Sequence, residues 1–147
     1  MKETEKAYLA GLIDADGSIT FSAKDHGRGI RAQALIIVVN SNYEIIEYLK
    51  ETTGYGCAYE TKAKPTRPDQ DQSNWNKVHR FQVTGKNALD LCRKIYPYLR
   101  IKKAQADLLL QYSVRGVDFK QQRTDEQKAK DARLVTEMRT LNQRKAA

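Results

Sequence analysis

The spacing of apolar and polar residues lays out an ordered set of elements. Ala7-Tyr8-Leu9-Ala10-Gly11-Leu12-Ile13 has helical composition and runs into Asp14-Ala15-Asp16-Gly17, where Gly17 suits a left-handed helix stop. Ser18 to Lys24 then alternates, with Ile19, Phe21 and Ala23 on one face and Thr20, Ser22 and Lys24 on the other, the signature of a half-buried strand. Asp25 to Gly29 reads as a turn, and Arg31 to Asn40 as a second strand, more continuously apolar through Leu35–Val39. Ser41 and Glu44 have capping-box spacing and open a helix that carries Ile45, Ile46 and Leu49 and ends near Gly54. Gly56 to Lys64 and Lys77 to Thr84 read as two more strands, the latter with Phe81 and Val83 inward and Arg80 and Gln82 outward. Asn87 can cap a helix carrying Leu91, Cys92 and Ile95 that stops at Pro97, and Lys102 to Val114 predicts another, stopped by Gly116. The tail places Ala129, Ala132, Val135, Met138 and Leu141 at helical spacing, with no evident packing partner.

This order predicts an α+β domain in which helices cover one face of a four-stranded antiparallel sheet, since such a sheet needs cover on one side only. The core is expected over 1–116, with 117–147 as a helical extension of the same domain. At 147 residues the chain is one domain by length, and 40% hydrophobic content supports a core.

Charge changes the picture next. A net charge of +8 points to a polyanionic partner, with nucleic acid ahead of an anionic membrane surface. No run approaches the ~20 apolar residues of a spanning helix, and Met1–Lys6 lacks a secretory apolar stretch, so an intracellular protein is expected, organellar or prokaryotic. Cys57 and Cys92 are expected as buried free thiols, with a disulfide as the alternative. Isolated His26 and His79 make no zinc cluster, and neither a phosphate-binding loop nor a serine nucleophile elbow is present, so no small-molecule substrate is expected.

The outward strand positions then acquire a possible role. Thr20, Ser22, Lys24, Tyr59, Thr61, Arg80 and Gln82 offer donors and acceptors that can read base edges in a major groove, which admits a β-ribbon. Arg31 and Gln33 are candidates too, although they would face away from DNA if Val39, which shares their parity, packs inward. Leu35 to Val39 is apolar on both faces, reflecting either burial under a dimer or contact with thymine methyls. Arg28 in the first turn, with Lys62, Lys64 and Arg67 in a polar loop that also holds Trp75, is expected to contact DNA, the lysines chiefly neutralising phosphates.

The sharpest signal is the string Leu9-Ala10-Gly11-Leu12-Ile13-Asp14-Ala15-Asp16-Gly17. Two carboxylates at the negative end of a helix dipole are unfavourable unless a cation joins them. Residues two apart do not share a helix face, so one chain does not readily offer both acids to one metal. Ala10 and Gly11 leave a flat stripe on which a second copy of the helix could pack. Ligands that are all oxygen suit Mg²⁺ rather than zinc, with Mn²⁺ or Ca²⁺ able to substitute in binding.

The string matches letter for letter the motif of the LAGLIDADG homing endonucleases, and the chain resembles that family in element order from about Tyr8 to Gln111. The resemblance implies the α-β-β-α-β-β-α fold with a saddle-shaped sheet. It implies a homodimer, with Tyr8, Ala10, Gly11 and Asp14 at the interface, that makes a double-strand break in a long pseudo-palindromic DNA by Mg²⁺-dependent hydrolysis. It also implies Asp16 and the Ala15 carbonyl as metal ligands. Asp14 is expected to hold the helix terminus or a neighbouring amide. Lys102, in Pro97-Tyr98-Leu99-Arg100-Ile101-Lys102, falls where the family places a lysine near the scissile phosphate. The family's glutamine and arginine that organise active-site water fall here on Ser41 and Ile45, so that network is expected from Asn40 or Asn42 instead. The competing functional readings are an intron RNA maturase and a non-catalytic DNA-binding regulator.

Overall fold

The computed structural model describes residues 1–25, 30–62, 77–112 and 123–143, with the side chains of Lys24, Asp25, Ile30 and Lys62 outside that description. Helix α1 (Glu3–Asp16) leads directly into strand β1 (Gly17–Asp25), which pairs with β2 (Ile30–Asn40). Helix α2 (Tyr43–Thr53) crosses to β3 (Cys57–Lys62), followed by β4 (Lys77–Thr84), α3 (Gly85–Ile95), α4 (Lys103–Leu110) and α5 (Asp125–Gln143). The sheet is antiparallel throughout in the order β1-β2-β4-β3, so β2 and β4 are central and β1 and β3 form the edges.

Alternation decides the layers. Ile19, Phe21, Ala32, Ala34, Ile36, Val38, Phe81 and Val83 are buried on one face, where they meet Leu9, Ile13, Ile46, Leu49, Leu91 and Ile95 of the helices. All five helices contact the sheet from this side or pack on one another. Leu9, Ala10 and Ile13 place α1 over β1 and β2.

Several local expectations are corrected. Gly17 is not left-handed: it has φ −96° and ψ 172°, already strand-like. Its glycine is required by contact, because a Cβ there would lie 2.8 Å from Ile13 Cα and 2.9 Å from the Ile13 carbonyl oxygen. The left-handed stop belongs to Gly54 (φ 73°), after α2. Asn42 rather than Ser41 caps α2, its side chain accepting from Glu44 N–H at 2.9 Å. Asn87 lies inside α3, which is preceded by Thr84. Helix α4 ends at Leu110, before Val114 and Gly116, which lie outside the described residues.

The tail does find a partner. Helix α5 packs on α4, β1 and β2 through Leu134, Val135 and Met138, with buried Asp131 on the same stripe. Ala129 and Ala132 are exposed, so the buried face is rotated from the one the alanines suggested. Asp131 takes a forked Arg123 guanidinium, Nη2 donating to Oδ1 at 2.8 Å and Nε 2.6 Å from Oδ2. The same guanidinium lies 5.2 Å from the Tyr112 ring centroid, and Tyr112 OH donates to the Ala32 carbonyl at 2.6 Å. This chain of contacts ties the start of α5 to the sheet.

Both cysteines are free, but only Cys92 is buried; Cys57 is exposed on an edge strand. Burial pushes the Cys92 thiol up to about 12. No described helix is long and apolar enough to cross a membrane.

Candidate active site and nucleic-acid interface

The two acids at the end of α1 diverge, as residues two apart on a helix must. Asp14 is half-buried and turns toward the segment before α4. Its Oδ2 accepts from Arg100 N–H at 2.9 Å and Ile101 N–H at 3.3 Å, and its Oδ1 from Lys102 N–H at 3.0 Å. These amides precede a helix and have no partner within it, so the carboxylate fills the place of a cap. The contact runs both ways, because Lys102 Nζ donates to the Asp14 carbonyl at 2.6 Å. Lys102 is 6% exposed, so it is not an ordinary surface lysine.

Asp16 points elsewhere. It is exposed, and its Oδ2 accepts from Asn40 Nδ2 at 3.1 Å. Asn40 is in turn held by Asn42 N–H, which donates to its Oδ1 at 2.8 Å. The end of β2 and the cap of α2 therefore orient the Asp16 carboxylate. Asp14, Ala15, Asp16, Ser18, Thr20, Lys102 and Asn142 line a groove of about 670 Å³.

Thr20 leads from this groove onto the uncovered face of the sheet. Register places Thr20 opposite Leu35, Ser22 opposite Gln33, and Lys24 opposite Arg31. Across the centre, Ile37 faces Gln82 and Val39 faces Arg80. Tyr59 lies opposite Arg80, and Thr61 opposite Val78. Val39 is 40% exposed, so Arg31 and Gln33 lie on the open face with it. Lys62 pairs with Lys77 at the parity opposite to Thr61. Among the described open-face positions of these strands there is no carboxylate; Glu60 falls on the other parity. Arg28, Lys64, Arg67 and Trp75 lie outside the described residues.

The fold has solved counterparts. I-CvuI, a homing endonuclease determined in complex with its target in the presence of Ca, matches 95% of this chain and 82% of its own, with a TM-score of 0.70 and 23% identity. The same protein with another DNA target and Mg, uncleaved, gives a TM-score of 0.68 and 25% identity over the same shares. The archaeal intron-encoded homing endonuclease I-Vdi141I, complexed with DNA, matches 96% of this chain and 86% of its own, with a TM-score of 0.71 and 18% identity. In motif and fold, the chain is similar to the LAGLIDADG homing endonucleases. No protein-family model matches the sequence. A curated relative, glutamine–fructose-6-phosphate aminotransferase (isomerizing) of Methanocaldococcus jannaschii, is 25% identical over 114 residues. That match covers 78% of this chain but only 9% of that protein.

Within the LAGLIDADG frame, one expectation needs correction. Ala10 does not form an open stripe with Gly11: it is fully buried between Leu9 and Ile13 in the core. The open side of α1 carries Tyr8, which is 52% exposed, and Gly11, where an added Cβ would meet nothing within 4 Å. The residues beside the motif acid lie as expected. Ser41 is exposed and Ile45 packs against the core, while Asn40 makes the contact with Asp16. The contribution of Asn142 was not foreseeable, because it comes from the far end of α5.

The donor set suits a hard cation. The groove offers a carboxylate and backbone oxygens, and no His or Cys lines it. Among the described residues no group of three His, Cys, Asp or Glu converges.

Proposed function

We propose that this protein is a site-specific DNA endonuclease that acts as a homodimer on a long, pseudo-palindromic duplex with Mg²⁺. The observation that carries this reading is continuity: Thr20 belongs both to the open face of the sheet, whose described positions carry no carboxylate, and to the groove holding Asp16 and Lys102. A duplex lying along the sheet would have its backbone delivered to the carboxylate. The net charge of +8 favours that encounter, and the three structural neighbours are described as DNA complexes.

Asp16 and the Ala15 carbonyl are the residues that would hold the metal, with the remaining ligands from a second chain, water and phosphate. When bound, Mg²⁺ would supply a water of lowered pKa and offset charge on the phosphodiester. Asn40 keeps the Asp16 carboxylate aimed into the groove. Asp14 pins residues 100–102 and so sets the backbone from which Lys102 projects. The Lys102 ammonium, anchored on the Asp14 carbonyl, stands ready to neutralise charge that grows on a phosphate oxygen. The exposed Tyr8 and Gly11 side of α1 is the surface on which a second protomer would bring its own Asp16 alongside. Two-fold symmetry of the dimer would be mirrored in the target.

The test begins with duplexes selected from a randomised library by wild-type protein. Those duplexes should be cut in Mg²⁺ and left intact in EDTA. Asp16→Asn should bind them with affinity close to wild type but cut at a rate lower by at least about 1,000-fold. Selection of tightly bound duplexes that Mg²⁺ never causes to be cut would leave a binding protein, and undiminished cutting by Asp16→Asn would remove the assigned role.

A further inference from the structure

One corner of the open face is wired before any ligand arrives. Tyr59 OH donates to Gln82 Oε1 at 3.2 Å, from β3 to β4. The Arg80 guanidinium sits 6.0 Å from the Tyr59 ring centroid, within cation–π range. Arg80 Nε is buried and has no hydrogen-bond partner among the described residues. On the other side of Gln82 the cross-strand neighbour is Ile37, which offers no polar group. Tyr59 thus controls two neighbours: its hydroxyl engages the Gln82 carbonyl oxygen and its ring seats the Arg80 cation.

The consequence is a polarity. A free glutamine reads adenine with both ends of its amide, the NH₂ donating to N7 and the oxygen accepting from N6. Here the phenol already donates to the oxygen and takes one of its two lone pairs, so the NH₂ is the end that stays wholly free for a ligand. Arginine has only donors. Resting on the DNA-binding reading above, we propose that Tyr59 makes the Arg80–Gln82 corner a donor-only reader, selecting guanine over adenine at the base pair facing Gln82. Guanine presents two major-groove acceptors, N7 and O6, where adenine presents one acceptor and one donor. Two residues along a strand span about 6.6 Å, close to two base-pair steps of about 3.4 Å each, so Arg80 and Gln82 address pairs two steps apart rather than one pair.

The discriminating substitution is Tyr59→Phe. It keeps the ring beneath Arg80 and removes only the hydroxyl. Wild type, Tyr59→Phe and Gln82→Ala are each used to select from a randomised duplex library without Mg²⁺, and the bound pools are sequenced. Wild type should enrich guanine at the pair facing Gln82 in each half-site, and Gln82→Ala should lose preference at that pair. Tyr59→Phe should move the same pair toward adenine, changing the guanine-to-adenine ratio about tenfold and leaving other positions alone. Gln82→Glu gives an independent arm: its carboxylate accepts only, so the same pair should turn to cytosine, whose N4 donates. An unchanged preference in Tyr59→Phe, or a change at pairs that Gln82→Ala does not affect, overturns the proposal while the endonuclease reading stands. A wild-type pool with no sequence enrichment overturns both. Thermal melts that match wild type exclude a general loss of fold.

Discussion

The two faces of the sheet are written in the same strands, at alternate positions, and they do different work. On the covered face, Ile19, Ile36, Val38 and Phe81 are fully buried and packed against five helices. On the open face, Thr20, Ser22, Arg31, Gln33, Tyr59, Arg80 and Gln82 remain accessible, with acids absent among the described positions. Stability therefore concentrates on one parity and recognition on the other. The motif helix repeats the division in miniature. Asp14 turns inward and is consumed by three backbone amides, whereas Asp16 turns outward with a single asparagine beside it.

That division can be broken from either side. The largest expected effect is on chemistry alone: Asp16→Asn should cost at least about 1,000-fold in cleavage, several kcal/mol of barrier, with an unchanged melting temperature. A lowered melting temperature would mean that the outward acid is structural after all. Next comes Phe81→Ala on the covered face, expected to destabilise by about 3–5 kcal/mol in denaturant unfolding, because a fully buried ring leaves a cavity. Asp14→Ala should cost about 1–3 kcal/mol, less than the core change because Arg100 and Ile101 are exposed and water can reach their amides. It should also slow cleavage without weakening DNA binding, since the Lys102 segment loses its anchor; full activity would separate Asp14 from the site. Smallest for stability is Arg80→Ala, expected to change unfolding free energy by no more than about 0.5 kcal/mol. Its effect should fall instead on affinity for the selected duplex and on the salt dependence of binding. A large loss of stability there would show that the open face carries structure as well as recognition.

Much of this was legible in one dimension because it depends on period. Strands β1 and β4 were readable to within a residue or two, since a residue's parity decides which face it joins. The divergence of Asp14 and Asp16 follows from helix geometry in the same way. Readings that depended on local chemistry alone fared worse. Ser41 and Asn42 are both good caps, and only the path of β2 into α2 selects Asn42. Gly17 resembled a left-handed stop, yet its glycine answers to the Ile13 backbone a turn earlier.

What the amino-acid sequence determined by itself is the periodic skeleton: the order of helices and strands, the alternation that separates buried from open positions, the basic charge and the nine-residue motif. Only the tertiary structure decided which side of α1 is open, burying Ala10 and leaving Gly11 bare. It likewise brought Asn40 to Asp16, sank Lys102 against Asp14, seated Tyr59 on Gln82 and found the face of α5 that covers the sheet. These contacts join residues far apart along the chain, and no local period encodes them. They arise when separate elements compete for the same apolar surface, and that competition is resolved only when all of them pack together.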